Sequence, residues 1–119
     1  MACNLRTKRI YEPKSPDDGL RVLVDRLWPR GMTKAEAALD LWFKEAAPSA
    51  ELRKWFDHRL DRWEEFRRRY LIELQTSAQV QNLRALAEKQ NITLLYGARD
   101  REHNEAVVLA TFLSMPTTR

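Results

Sequence analysis

Two short apolar runs set the first limit on how this chain folds. Val22, Leu23 and Val24 sit inside RVLVDRL (21–27), and NITLLYG (91–97) is apolar almost throughout. A strand with one face in water alternates polar and apolar residues. An unbroken run needs cover on both faces, as in a parallel sheet packed between other layers. Each run also ends in a polar turn, DRLWPRG at 25–31 and YGARDREHN at 96–104. In open α/β sheets, ligands bind just beyond the carboxyl ends of the strands. If these two strands are parallel neighbours, both turns open onto the same edge.

The remaining elements follow from period and capping signals. RTKRIYEP (6–13) alternates weakly and predicts a first strand. KSPDDGL is a turn in which Pro16 presets φ and Gly19 supplies a positive one. The link from this strand to the next is too short for a parallel crossover, so the two are expected to be antiparallel if they pair. Thr33 and Glu36 have capping-box spacing at the start of a short helix. LDLWFK (39–44) alternates Leu39, Leu41 and Phe43 against Asp40, Trp42 and Lys44, a strand period.

Residues 50–90 read as helix, opened by Ser49 as N-cap and opened again by Ser77. Leu52, Trp55 and Phe56 form one stripe, and Leu60, Trp63, Phe66, Tyr70, Leu71 and Leu74 a second. Asp61 and Glu64 repeat the capping-box spacing, which predicts a break near 57–61. EAVVLATFL is a final helix, and the last residues, PTTR, are expected to fray. The order β-β-α-β-α-α-α-β-α defines an α/β class: one domain over 1–119, with a small, mostly parallel (mixed) sheet of about four strands covered by helices.

Composition narrows function by exclusion. One cysteine, Cys3, leaves no disulfide framework, and with only two histidines it offers no paired set for a structural zinc, so no metal is expected. No stretch nears the ~20 apolar residues of a membrane span, and the N-terminus lacks a signal-peptide apolar core. A cytoplasmic location without a membrane partner is expected. The sequence contains no Gly-rich phosphate loop, GxSxG, HExxH or CxxC. No cofactor is specified.

Candidate site residues come from the two polar turns and the helix break. Arg26 and Arg30 have the fork geometry that grips oxyanions, Asp25 can orient an arginine or act as a base, and Trp28 before Pro29 offers a flat wall. The alternative is a structural clasp, in which Asp25 locks one arginine and Trp28 plugs the core. Asp100 is placed to cap the last helix, whose start could receive an anion. His103 and Asn104 then fall in its first turn. His58 lies at the predicted break and is a candidate acid–base group. We assign His58, Asp100 and Asn104 to catalysis, and Asp25, Arg26, Trp28 and Arg30 to ligand binding.

The net charge of +4 permits an anionic partner. Arg53, Lys54, Arg59, Arg62, Arg67, Arg68 and Arg69 look like a nucleic-acid stripe. However, Glu64–Arg68 and Glu65–Arg69 stand at i,i+4, so a salt-bridged solvated face is the better reading.

Three segments together, LVDRLWPRG, APSAELRKWFDHRLDRWEEFRRRY and LLYGARDREHNEAVVL, resemble the YeaO-like family of small bacterial proteins, over about residues 8–113. The family has no established activity. Larger relatives that it is similar to carry a Cys-His pair near the start of the last helix. Here that place reads His103, Asn104, Glu105, so the resemblance implies no thiol chemistry. Leu60 also stands where a proline suits the pattern.

The expectation is a small anionic-ligand cleft at the carboxyl ends of the strands, with or without a reaction. The alternative is a nucleic-acid or partner-binding module that uses the Arg-rich helical face.

Overall fold

The computed structural model describes residues 4–115. Cys3 and the PTTR tail lie outside the described residues. Four strands, β1 (Leu5–Arg9), β2 (Leu20–Leu23), β3 (Leu41–Trp42) and β4 (Ile92–Tyr96), form one sheet in the order β1-β4-β2-β3. Every pairing is parallel; β4 pairs with β1 from Leu5↔Ile92 and with β2 from Leu20↔Ile92. All five residues of β4 are buried, as its apolar run required. The two apolar runs are therefore parallel neighbours, and the polar turns that follow them share an edge.

The sheet is not mixed, and β1 does not pair with β2. The last strand in sequence inserts between them. The crossover expected to be too short is made by residues 10–19, which could reach about 33 Å if extended. A five-residue strand is only about 17 Å long, so the chain returns to the other end without a long helix. A single 3₁₀ turn, Pro16–Asp18, lies on this path. Gly19 then takes φ 64°, and a Cβ there would collide with the Asn91 carbonyl.

This crossover is held by a buried charge cluster that the sequence did not advertise. Arg21, on β2, is fully buried. Its guanidinium donates to the Ala37 and Ala38 carbonyls (2.9 and 3.1 Å) and to Asp18, which Lys8 also reaches at 3.1 Å. Burial pushes the Asp18 carboxyl up. Hydrogen bonds from Ser15, Lys8 and Arg21 more than offset that, leaving it below its ordinary range.

Side-chain alternation divides the core between the two sheet faces. Val22, Val24, Ile92, Leu94 and Tyr96 face the larger cluster. The helices that fill it are α2 (Ala50–Phe56), α3 (Trp63–Gln75), α4 (Ala78–Lys89) and α5 (Glu105–Ser114). Leu23 and Leu95 face a smaller cluster with Ile10 and Ala37, flanked by Trp28 and Trp42. Ala37 ends α1 (Lys34–Ala37), which opens on the expected Thr33–Glu36 capping box. Among the described residues, no helix is long and apolar enough to cross a membrane.

Ser49 and Ser77 cap α2 and α4 as expected, accepting from Leu52 and Val80 N–H at 3.2 Å. The break at 57–61 is real, but its cause differs. Asp57 and His58 both adopt left-handed φ, 48° and 54°, ending α2. Asp61 does not cap α3; it pairs with Arg59 at 2.9 Å. A 3₁₀ turn, Leu60–Arg62, leads into α3 without a side-chain cap. Leu60 leaves the apolar stripe and is 60% exposed, whereas Phe66, Tyr70 and Leu74 are buried.

Candidate functional site

The carboxyl ends of β2 and β4, the turn after α2 and the start of α5 enclose a cleft of about 660 Å³. That is the ordinary size for a small-molecule site. The structure brings Asp25, Arg26, Trp28, Arg30, His58 and Asn104 to its walls, from all three sequence regions named as candidates. Asp100 is not among the lining residues. It also does not cap α5. Asn104 holds that position, accepting from Val107 N–H at 3.0 Å. Asp100 instead organises the preceding loop, accepting from the Glu102 and His103 N–H groups (2.9 and 3.0 Å) and meeting His103 Nδ1 at 3.0 Å. These bonds, led by the one from Glu102, hold its carboxyl below the usual range.

Several assigned side chains are already engaged by the scaffold. The Asn104 amide caps α5 through its oxygen and donates through nitrogen to the Asp100 carbonyl (2.8 Å), which leaves it a positioning residue. Trp28 lines the cleft and also braces the fold. Its indole N–H donates to the Met32 carbonyl (2.6 Å), and its ring meets Trp42 edge-on at 5.2 Å. Arg26 is half-buried, with Nε donating to the Pro48 carbonyl (3.2 Å), so its remaining donors are anchored at the cleft wall. His58 is exposed on the rim and tilted against Phe56.

The cations are less committed. Arg30 is exposed, and its side chain has no ion pair or hydrogen bond among the described residues. Asp25 does not lock it. Arg53 and Lys54, from α2, also line the cleft. Neither has a side-chain partner among the described residues, and Arg53 Nε is buried without one. A buried guanidinium N–H with no acceptor costs free energy that a bound anion would recover. The sequence reading placed Arg53 and Lys54 in the helical stripe. Their position just before the α2 terminus was the available signal for the cleft.

The other missed residue is Glu105. It opens α5 and lines the cleft beside Asp25. Burial first, then Asp25, pushes the Glu105 carboxyl well above its ordinary range. Asp25 Oδ1 is buried without a hydrogen-bond partner. The Gly97 N–H donates to Asp25 Oδ2 at 2.9 Å, and Trp42 Nε1 donates to the Asp25 backbone carbonyl at 2.8 Å. Asp25 is thus held through one carboxylate oxygen and its backbone carbonyl.

On the helical face the pairing is denser than the spacing implied. Glu65 holds both Arg68 (2.6 Å) and Arg69 (2.7 Å), and Glu64 pairs with Arg67 (2.9 Å) rather than Arg68. Hydrogen bonds from Arg68 and Arg69 pull the Glu65 carboxyl down to about 2. Arg62 and Arg69 also cover the Trp55 ring, at 5.0 and 4.4 Å.

Fold and cleft together define a small parallel α/β protein with a cation-lined depression at the carboxyl edge of its sheet. The chain belongs to the family described as the inactive DUF488-N3 subclade, whose profile matches residues 4–119. It is similar to the uncharacterised protein YeaO of Escherichia coli (strain K12), 48% identical over 111 residues, or 92% of this chain and 96% of that one. It is also similar to the uncharacterised proteins Rv3073c of Mycobacterium tuberculosis and Mb3100c of Mycobacterium bovis. Each is 43% identical over 110 residues, or 92% of this chain and 93% of the relative. The YeaO-like resemblance is therefore correct. No solved structure matches the chain significantly.

Proposed function

We propose that this protein binds a small anion in the cleft between β2, β4, α2 and α5. The observation that carries the reading is the set of unpaired cations. Arg30, Arg53 and Lys54 face the cleft without an ion-paired carboxylate, beside an anchored Arg26. By contrast, Arg67 on the helical surface is ion-paired with Glu64, and Arg68 and Arg69 share Glu65. Guanidinium groups that lack internal partners in a concave site are suited to phosphate or carboxylate.

The family's description as inactive favours binding over turnover. The arrangement supports the same view. Asn104 spends its hydrogen-bonding capacity on its helix cap and the Asp100 carbonyl. The test is calorimetric titration of orthophosphate into wild type and Arg53→Gln. Saturable binding at one site, weakened about tenfold or more in the variant, is the expected result, because a charge-assisted hydrogen bond contributes about 1.5–3 kcal/mol. Equal affinity in the two proteins would reject the reading.

A further inference from the structure

We propose that the cleft takes a small zwitterion, with its anionic group on Arg53 and Lys54 and its ammonium group on Glu105, backed by Asp25. This rests on the anion-binding reading and adds the other end of the ligand.

The wall of the cleft carries charges of both signs that are not paired with one another. Arg30, Arg53 and Lys54 have no carboxylate partner among the described residues, and Arg53 Nε is buried without an acceptor. Asp25 and Glu105, on the same wall, have no cationic partner among the described residues. The helical surface shows the opposite habit, because there Glu64 and Glu65 are paired with arginines. Uncompensated charges of both signs in one cavity complement a ligand that carries both.

The acidic part of the wall is built in. The Gly97 N–H donates to Asp25 Oδ2 at 2.9 Å, and a Cβ at Gly97 would lie 3.0 Å from that oxygen, so the bare glycine is what admits the carboxylate. Oδ1 is left buried with no donor, whereas buried acceptors are ordinarily satisfied. Glu105 stands beside it, half-buried and lining the cleft, and is the carboxyl that a ligand meets first. Asp25 adds a second negative charge behind it. Asp57, another carboxylate of the wall, is exposed at the end of α2, where water solvates it.

The chemistry selects the occupant. An ammonium group has three donors and a full positive charge, so it can bond Glu105 and relieve the repulsion between two adjacent carboxylates. A hydroxyl group donates once and brings no charge. A metal ion needs more ligands, and among the described residues no group of three histidine, cysteine or carboxylate side chains is placed to hold one. Phe56 and Phe66 also line the cleft and give a short alkyl linker an apolar surface.

The test is a calorimetric comparison of three probes on the full chain at pH 7: orthophosphate, propyl phosphate and 2-aminoethyl phosphate. The two esters are equally long and differ in one terminal group, methyl against ammonium. Wild type should bind 2-aminoethyl phosphate about tenfold or more tightly than propyl phosphate, because a charge-assisted contact is added to the same phosphate grip. Glu105→Gln and Asp25→Asn each remove one negative charge at nearly constant shape, and each should cut that ratio by about threefold or more. Neither should weaken propyl phosphate, which has no cation to place there. Thermal midpoints establish that each variant is folded, and the wild-type ratio needs no variant. Equal binding of the two esters by wild type, or a ratio unchanged in both variants, would overturn the proposal and leave the anion cleft standing. Failure of all three probes to bind would overturn the cleft and this inference together.

Discussion

Asp25, at the end of β2, and Glu105, at the start of α5, stand side by side in the wall of the cleft, and burial together with the neighbouring Asp25 pushes the Glu105 carboxyl well above its ordinary range. That juxtaposition ties the sheet edge to the last helix. It also makes the stability of the protein depend on pH in a definite direction. The Glu105 pKa is raised above its model-peptide value of 4.5 in the folded state, so its contribution to stability is complete below that pH. It is lost as pH rises toward the folded value, because the unfolded chain releases the proton first. Glu105→Gln should therefore raise the thermal midpoint at pH 7, by about 4 °C for each kcal/mol recovered. The gain should vanish near pH 4. Midpoints measured across pH 4–8 check this; a gain of the same size at both ends would contradict it.

Gly97 should tolerate no side chain. In Gly97→Ala the new Cβ would press on Asp25 Oδ2 at 3.0 Å, with the Pro29 Cβ only 3.8 Å away. Loss of the Gly97–Asp25 hydrogen bond should cost about 1–3 kcal/mol in urea unfolding. Its effect should couple with Glu105→Gln rather than add to it, since both act on Asp25.

Two arginines offer a direct contrast. Arg21→Met removes one partner of a buried ion pair and should destabilise by about 3–5 kcal/mol. Arg30→Ala removes an exposed side chain with no partner among the described residues. It should stay within about 0.5 kcal/mol of wild type. Urea midpoints of the two variants decide. A large loss in Arg30→Ala would make DRLWPRG a structural clasp.

The Arg-rich helical face should bind nucleic acid weakly and without sequence preference, because Glu64 and Glu65 already occupy Arg67, Arg68 and Arg69. Fluorescence anisotropy should give dissociation constants no tighter than about 1 μM at ~150 mM salt, falling away steeply as salt rises. Sequence-dependent binding below that range would favour the surface over the cleft.

The fold was largely legible because its signals were local. The apolar runs at Val22–Val24 and Ile92–Tyr96, and the serine caps at Ser49 and Ser77, act within one element each. Strand order was not, because it depends on how short β1 and β2 are. Residues 10–19 looked too short to cross back, yet they suffice when there is so little strand to traverse. The site was half legible. Asp25, Arg26, Trp28 and Arg30 follow an apolar run into a rigid turn, a pattern visible in one segment. Glu105 and Arg53 were missed because their meaning comes from contacts across the chain. Glu105 reads as an ordinary first-turn acid until Asp25 is beside it, and Arg53 reads as a surface cation until its Nε is found buried. Asp100 was misplaced by four residues, because Asn104 is an equally good cap and lies nearer the apolar run of α5.

The central claim is that the unpaired cations of the cleft, and not the arginines of the helical surface, receive the anion. Amide-resolved NMR titration of the full chain with orthophosphate tests it most directly. Saturable shifts should concentrate at residues 25–31, 53–58 and 97–105. Shifts concentrated at 62–69, or unsaturated shifts spread over the whole surface, would contradict the account.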